Sequence, residues 1–178
     1  LEFRRVLFRS WCDKNKMTVN KDKSKIIHFR GPSVPLTDTT FVLGDMVLDV
    51  CSQYQYLGVL LTQHLDFNLM AKCSVKSANR ALGLLIAKFK HLGGMPFNVY
   101  TKLYDSMVWP ILDYGAGIWG TGEHSAVNAL HHRAIRFFMG VGKYTPNLGV
   151  NGDSGWTPPV VRQWTAVSRL YARMRSEE

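Results

Sequence analysis

The sequence predicts an α+β fold, a small antiparallel β-rich part followed by a mostly α-helical part. Three observations carry this. Between residues 24 and 62 the apolar residues come in short runs rich in Val, Leu, Ile and aromatics, separated by turn residues. After residue 62 the apolar spacing lengthens from a period of two to one of 3.6. Glycine and proline then mark the places where one helical run gives way to the next.

Taken in order, WCDKNKMTVN (11–20) reads as the last turns of a helix with a short extended exit. Lys21, Asp22 and Lys23 make a polar turn, and SKIIHFR (24–30) reads as a strand. GPSVPLTD (31–38) holds two prolines and a glycine and is loop. TFVLGDMVLDV (40–50) is a hairpin, two apolar runs flanking Gly44-Asp45, a dipeptide suited to positive φ. YQYLGVLLT (54–62) reads as a third strand, with Gly58 marking a bulge or a close backbone approach. Val75, Ala78, Leu82, Leu85, Phe89 and Leu92 step by three and four, which predicts one long amphipathic helix over 67–92. Gly93-Gly94 ends it and Pro96 starts the next. Residues 98–109 read as helix, with Pro110 forcing a break or kink, and 111–119 as a further helix rich in small residues. Residues 123–141 form another amphipathic helix, 143–159 a long Gly/Pro/Asn loop, and 160–176 a final basic helix.

The chain carries a net charge of +9 over 178 residues and is 46% hydrophobic, enough for a packed core. Residues 1–10, LEFRRVLFRS, back-translate into a stretch that resembles a common sequencing adapter. We read them as an adapter-derived scar with no part in the fold. They hold three arginines and one glutamate, so +7 of the +9 belongs to residues 11–178. That excess favours polyanionic partners, nucleic acid above all; the alternative is a merely soluble basic domain. No apolar run approaches the roughly 18 residues of a membrane span, which predicts no membrane partner. Cys12, Cys51 and Cys73 are odd in number and lack C-x-x-C spacing, so they are expected to be reduced and mostly packed, in an intracellular setting.

Four stretches resemble the reverse transcriptase of a non-LTR (LINE-type) retrotransposon. WCDKNKMTVNKDKSKIIHF resembles the segment after the catalytic hairpin, with Asn20, Lys23 and Ser24 at its N-x-x-K-[ST] positions. YQYLGVLLT resembles the primer grip, LYDSMVWPILDYGAGIW the thumb pattern with Pro110, Tyr114 and Trp119, and FFMGVGKYTPNLGVNGDSGWTPP the segment that follows it. The resemblance implies a C-terminal fragment of an RNA-directed DNA polymerase. Residues 11–62 would end the palm with the primer grip, and 63–178 would form the helical thumb and a downstream helical segment. The implied partner is an RNA–DNA or RNA template–primer duplex, and the implied cellular setting is cytoplasm and nucleus. The parent enzyme would use Mg²⁺ ions held by paired carboxylates. This sequence has no Asp-Asp dipeptide. The family places that pair upstream of Trp11, so the fragment is expected to be inactive alone and to hold neither metal nor small-molecule cofactor. The alternative is a non-enzymatic basic helical nucleic-acid-binding module.

Within that frame Lys23 is a candidate general acid for the leaving pyrophosphate, or else a solvated turn lysine. Tyr56, Leu57 and Gly58 are candidate primer-grip residues, the glycine admitting a sugar-phosphate, or else part of a buried strand with a bulge. Lys72, Lys76 and Arg80 form an i, i+4, i+8 ridge off the apolar stripe, suited to duplex phosphates, or else a solvated face. Arg162, Arg169, Arg173 and Arg175 are a weaker version of that signal. Tyr100, Tyr104, Trp109, Tyr114 and Trp119 are expected in the core rather than as a stacking platform. His124, His131 and His132 lack metal-ligand spacing and are expected at the surface or as caps. GDSG at 152–155 resembles the nucleophile segment of a serine protease. Its predicted helical surroundings and the following Trp156 argue instead for a turn between two helices.

Overall fold

A computed structural model describes residues 10–20, 22–43 and 46–177. The fold is α+β, and the chain divides into two compact units, Leu1–Asp66 and Phe67–Glu178. The adapter-like stretch up to Arg9, Lys21 of the polar turn and the Gly44-Asp45 turn lie outside the described residues.

The first unit opens with a helical turn at residues 10–14, followed by extended chain from 17. Its two hairpins are separate antiparallel ladders. β1 (Phe41–Leu43) pairs with β2 (Met46–Leu48), with Phe41 opposite Leu48. β3 (Gln53–Tyr56) pairs with β4 (Val59–Thr62), with Tyr56 opposite Val59. The stretch expected as one strand over 54–62 is thus a hairpin. Leu57 and Gly58 form its two-residue turn, both with positive φ (46° and 83°), so Gly58 serves the turn and not a bulge. The strand expected over 24–30 does not form either. It contributes one parallel bridge, Ile26 to Val50, through Ile26 N–H to Asp49 O (2.9 Å) and Cys51 N–H to Ile26 O (2.8 Å). Beyond it Arg30 N–H turns to Gln63 O, so the segment spreads its hydrogen bonds over two neighbours and builds no ladder.

The second unit is helical. α1 (Asn68–His91) is the long amphipathic helix; Ala78, Leu82 and Leu85 are buried, each leucine contributing about 1.5–3 kcal/mol of transfer free energy. It stops where Gly93 and Gly94 take positive φ and Gly94 N–H reaches back to Phe89 O. Leu92 lies past the helix end and is exposed. α2 (Phe97–Leu103), a π turn (Tyr104–Val108) and α3 (Trp109–Asp113) follow in succession. Pro110, expected to break or kink the helix, falls in the first turn of α3, and the helical run continues on both sides of it. A proline ring would meet the carbonyl four residues back, and the π turn just upstream, closed by Trp109 N–H to Tyr104 O, absorbs it. The helix expected over 111–119 is interrupted instead. Tyr114 is extended, Gly115 is left-handed (φ 68°), and α4 (Ala116–Trp119) is one short turn.

α5 (Ser125–Met139) ends on left-handed Gly140. The expected loop at 143–159 contains a two-turn helix, α6 (Asn147–Ser154), capped by left-handed Gly155, so GDSG is a helix end. α7 (Pro159–Ser176) closes the chain. It seats on α4 through two glycines: a Cβ on Gly117 would lie 3.0 Å from Leu170 Cδ2, and one on Gly120 would lie 3.1 Å from Gln163 Cβ. The core of this unit joins Leu82 and Leu85 to Tyr100, Tyr104, Leu112, Trp119, Ile135 and Trp156. No helix among the described residues is long and apolar enough to cross a membrane.

Candidate nucleic-acid interface

The basic charge of the molecule is concentrated in the second unit, and there on α1. From residue 67 to 104 the sequence contains no aspartate or glutamate. Lys72, Lys76 and Arg80 stand exposed on α1, off its buried face. Their eight-residue span covers about 12 Å, or three to four base-pair steps of a duplex. Among the described residues no carboxylate lies within ion-pairing distance of the three, so their charge is open to solvent or to a polyanion. Arg80 is steadied by Ser77 Oγ at 3.4 Å.

α5 adds cations that the sequence reading missed. Arg133 donates to Asn79 Oδ1, which places a second helix's guanidinium beside the turn of α1 that carries Lys76 and Arg80. Further along, Lys90, Arg133, Arg136 and Lys143 line a cleft of about 400 Å³ with Ile86, Phe137 and Val141. Arg136 is held by Thr145 O (2.9 Å) and by Asn147 Oδ1. The available signal was two arginines three apart on an acid-free helix; which helix they would face was not legible.

In the first unit the N-x-x-K-S segment is a closed turn. Asn20 Oδ1 accepts from Lys23 N–H (3.1 Å), and Ser24 Oγ donates to Asn20 O (2.8 Å). Tyr54 Oη donates to Lys23 O (2.7 Å), tying β3 to this turn, while the Lys23 side chain is exposed. Tyr56 and Leu57 are exposed at the hairpin tip (60% and 74%), which removes the buried-strand alternative for them. The hairpin thus joins the Lys23 turn in one unit, and the α1 ridge stands in the other.

Other expectations are corrected. Tyr100, Tyr104, Trp109 and Trp119 are core residues, but Tyr114 is exposed because it sits where the chain leaves α3. His124, His131 and His132 are buried, not at the surface. His124 occupies the N-cap position of α5 without a side-chain cap bond, its Nε2 facing Trp119 O at 3.2 Å. His131 Nδ1 meets Tyr104 Oη at 3.1 Å, and Trp156 packs on its ring. Burial, reinforced by Arg162 and His132, lowers its pKa to about 3, and burial raises Tyr100 and Tyr104 well above the ordinary phenol. Arg162 is a structural residue: it pairs with Asp105 (2.6 Å) and covers the Trp109 ring at 4.7 Å. The three cysteines are free; Cys12 is buried and Cys51 half-buried, whereas Cys73 stands exposed on α1 and departs from the expected packing.

Among the described residues no three His, Cys, Asp or Glu side chains come together as a metal site. Asp49 pairs with Lys25 and Asp105 with Arg162. These carboxylates do not fit the paired arrangement that polymerase Mg²⁺ ions require.

No protein-family model and no solved structure matches the chain. Over 130 residues, 71% of its length, the chain is 27% identical to a protein from Drosophila melanogaster, the probable RNA-directed DNA polymerase from transposon BS. The match spans 14% of that protein's length. This likeness supports a reverse-transcriptase-related chain.

Proposed function

We infer that the chain is the C-terminal palm and thumb part of a LINE-type reverse transcriptase and contributes primer–template binding rather than catalytic carboxylates. The observation that carries this is the acid-free α1 with Lys72, Lys76 and Arg80 exposed along it, extended by Arg133. Such a row fits a duplex backbone, supplying charge without reading sequence. The likeness to a transposon polymerase supports a hybrid duplex as the partner. On this reading Tyr56, Leu57 and Gly58 present the hairpin tip to the primer terminus, and the Lys23 ammonium faces the nucleotide side. The parent enzyme works in cytoplasm and nucleus with Mg²⁺ held by residues other than these.

The test is binding of a fluorescent RNA–DNA hybrid by the chain and by a Lys72→Ala/Lys76→Ala/Arg80→Ala variant. The variant is expected to bind at least tenfold more weakly at low salt while keeping the parent's helical circular dichroism. Equal affinity for the two proteins would remove the ridge from the interface.

A further inference from the structure

A second surface of the helical unit has the chemistry of a different nucleic-acid form. α7 packs inward through Gln163, Ala166 and Leu170, against Gly120 and Gly117. The face turned away from that contact is not polar. Trp164 is 50% exposed, Tyr171 60% and Val161 51%, and a shallow, mostly apolar groove runs along Val161, Trp164 and Ala172. Trp164 and Tyr171 lie seven residues apart, two turns or about 10 Å along the axis, on one side of the helix. Arg175 stands exposed beside them, its Nη1 reaching Tyr171 Oη at 3.4 Å, and Arg169 borders the groove with Trp164, whereas Arg173 stands exposed further round the helix. The helix itself, PVVRQWTAVSRLYARMRS, contains no acidic residue.

We propose that this face of α7 binds single-stranded nucleic acid, with Trp164 and Tyr171 stacking on unpaired bases and Arg169 and Arg175 holding the phosphates. Charge complementarity selects the occupant. A second copy of the chain would bring the same arginines face to face, with only Glu177 and Glu178, which follow the helix in sequence, to answer them. A duplex hides its base faces inside the stack and offers only edges. An unpaired strand offers both a π-face for each aromatic ring and a phosphate for each guanidinium. This site stands apart from the α1 ridge, so the two can fail independently.

The experiment titrates the whole chain with oligo(dT) and follows tryptophan emission. Oligo(dT) is expected to quench the fluorescence, and Trp164→Phe is expected to remove that part of the quenching which Trp164 supplies. Trp164→Ala and Tyr171→Ala should each weaken oligo(dT) binding by roughly 5- to 150-fold. Both are exposed positions, so the variants should keep the parent's circular dichroism and its affinity for the RNA–DNA hybrid. The Lys72→Ala/Lys76→Ala/Arg80→Ala variant should show the converse, weakened hybrid binding with oligo(dT) binding retained. Unchanged oligo(dT) affinity in both aromatic variants would overturn the proposal. So would equal quenching by a blunt duplex, or a dimer in sedimentation that Trp164→Ala dissociates.

Discussion

A neutral imidazole at the centre of the helical unit ties stability to pH. His131 is fully buried against Tyr104, Trp109 and Trp156, with Arg162 and His132 as its charged or titratable neighbours. Its pKa falls from 6.5 to about 3 on folding, so below pH 6.5 the unfolded chain binds a proton that the folded chain does not. Stability should therefore fall as pH drops from 6.5 toward 3, by up to ~1.4 kcal/mol per pH unit from this group, and be flat above. His132, lowered by burial, acts in the same sense, whereas Asp113, raised by burial, opposes at the acidic end. Urea midpoints measured across that range should show the slope, and His131→Gln should flatten it; an unchanged slope in the variant would place the titration elsewhere. Gly120 gives a second residue-level prediction. Gly120→Ala forces a Cβ to within 2.6 Å of Ala116 O and 3.1 Å of Gln163 Cβ, and should cost about 1–3 kcal/mol in chemical denaturation. Gly122→Ala, with open space around it, should change stability by less than ~0.5 kcal/mol.

At the scale of elements, α7 is fastened to the rest of its unit by Arg162. The guanidinium reaches Asp105 in the π turn and lies over Trp109 in α3, with 18% of the Arg162 side chain exposed against 45% for Asp105. Asp105→Ala removes only the half-exposed end of the pair and should cost ~1 kcal/mol or less. Arg162→Ala also uncovers the Trp109 face and should cost roughly 2 kcal/mol more, read from thermal or urea unfolding. Equal costs would mean that the ion pair alone matters. These elements also show what sequence patterning can and cannot reveal. The 3.6 period placed α1, α5 and α7 to within two residues, because a buried stripe at i, i+3 and i+4 has few other solutions. The hairpin within 54–62 was hidden because Gly58 is the lone turn residue there, and the other turn position is filled by Leu57, a residue type that rarely takes positive φ. The π turn was equally hidden, since nothing local tells a proline that bends a helix from one that an upstream π turn accommodates. The ridge at Lys72, Lys76 and Arg80 was legible as spacing; Arg133 beside it depends on how α5 packs on α1.

On the scale of the whole molecule, the two units differ in charge as sharply as in architecture. Residues 11–66 carry six basic and six acidic side chains, whereas residues 67–178 carry thirteen and six, so the whole +7 resides in the helical unit. Polyanion affinity should therefore reside there, and cleaving the chain in the segment that joins the units should leave it with the helical piece. The central claim is that Lys72, Lys76 and Arg80 meet duplex phosphates. It is tested most directly by the salt dependence of RNA–DNA hybrid binding, log K against log salt, for the parent and the triple alanine variant. Each cation that displaces a counterion contributes about −0.9 to the slope, so the variant's slope should be shallower by about 2.7. Parallel lines for the two proteins would contradict the account.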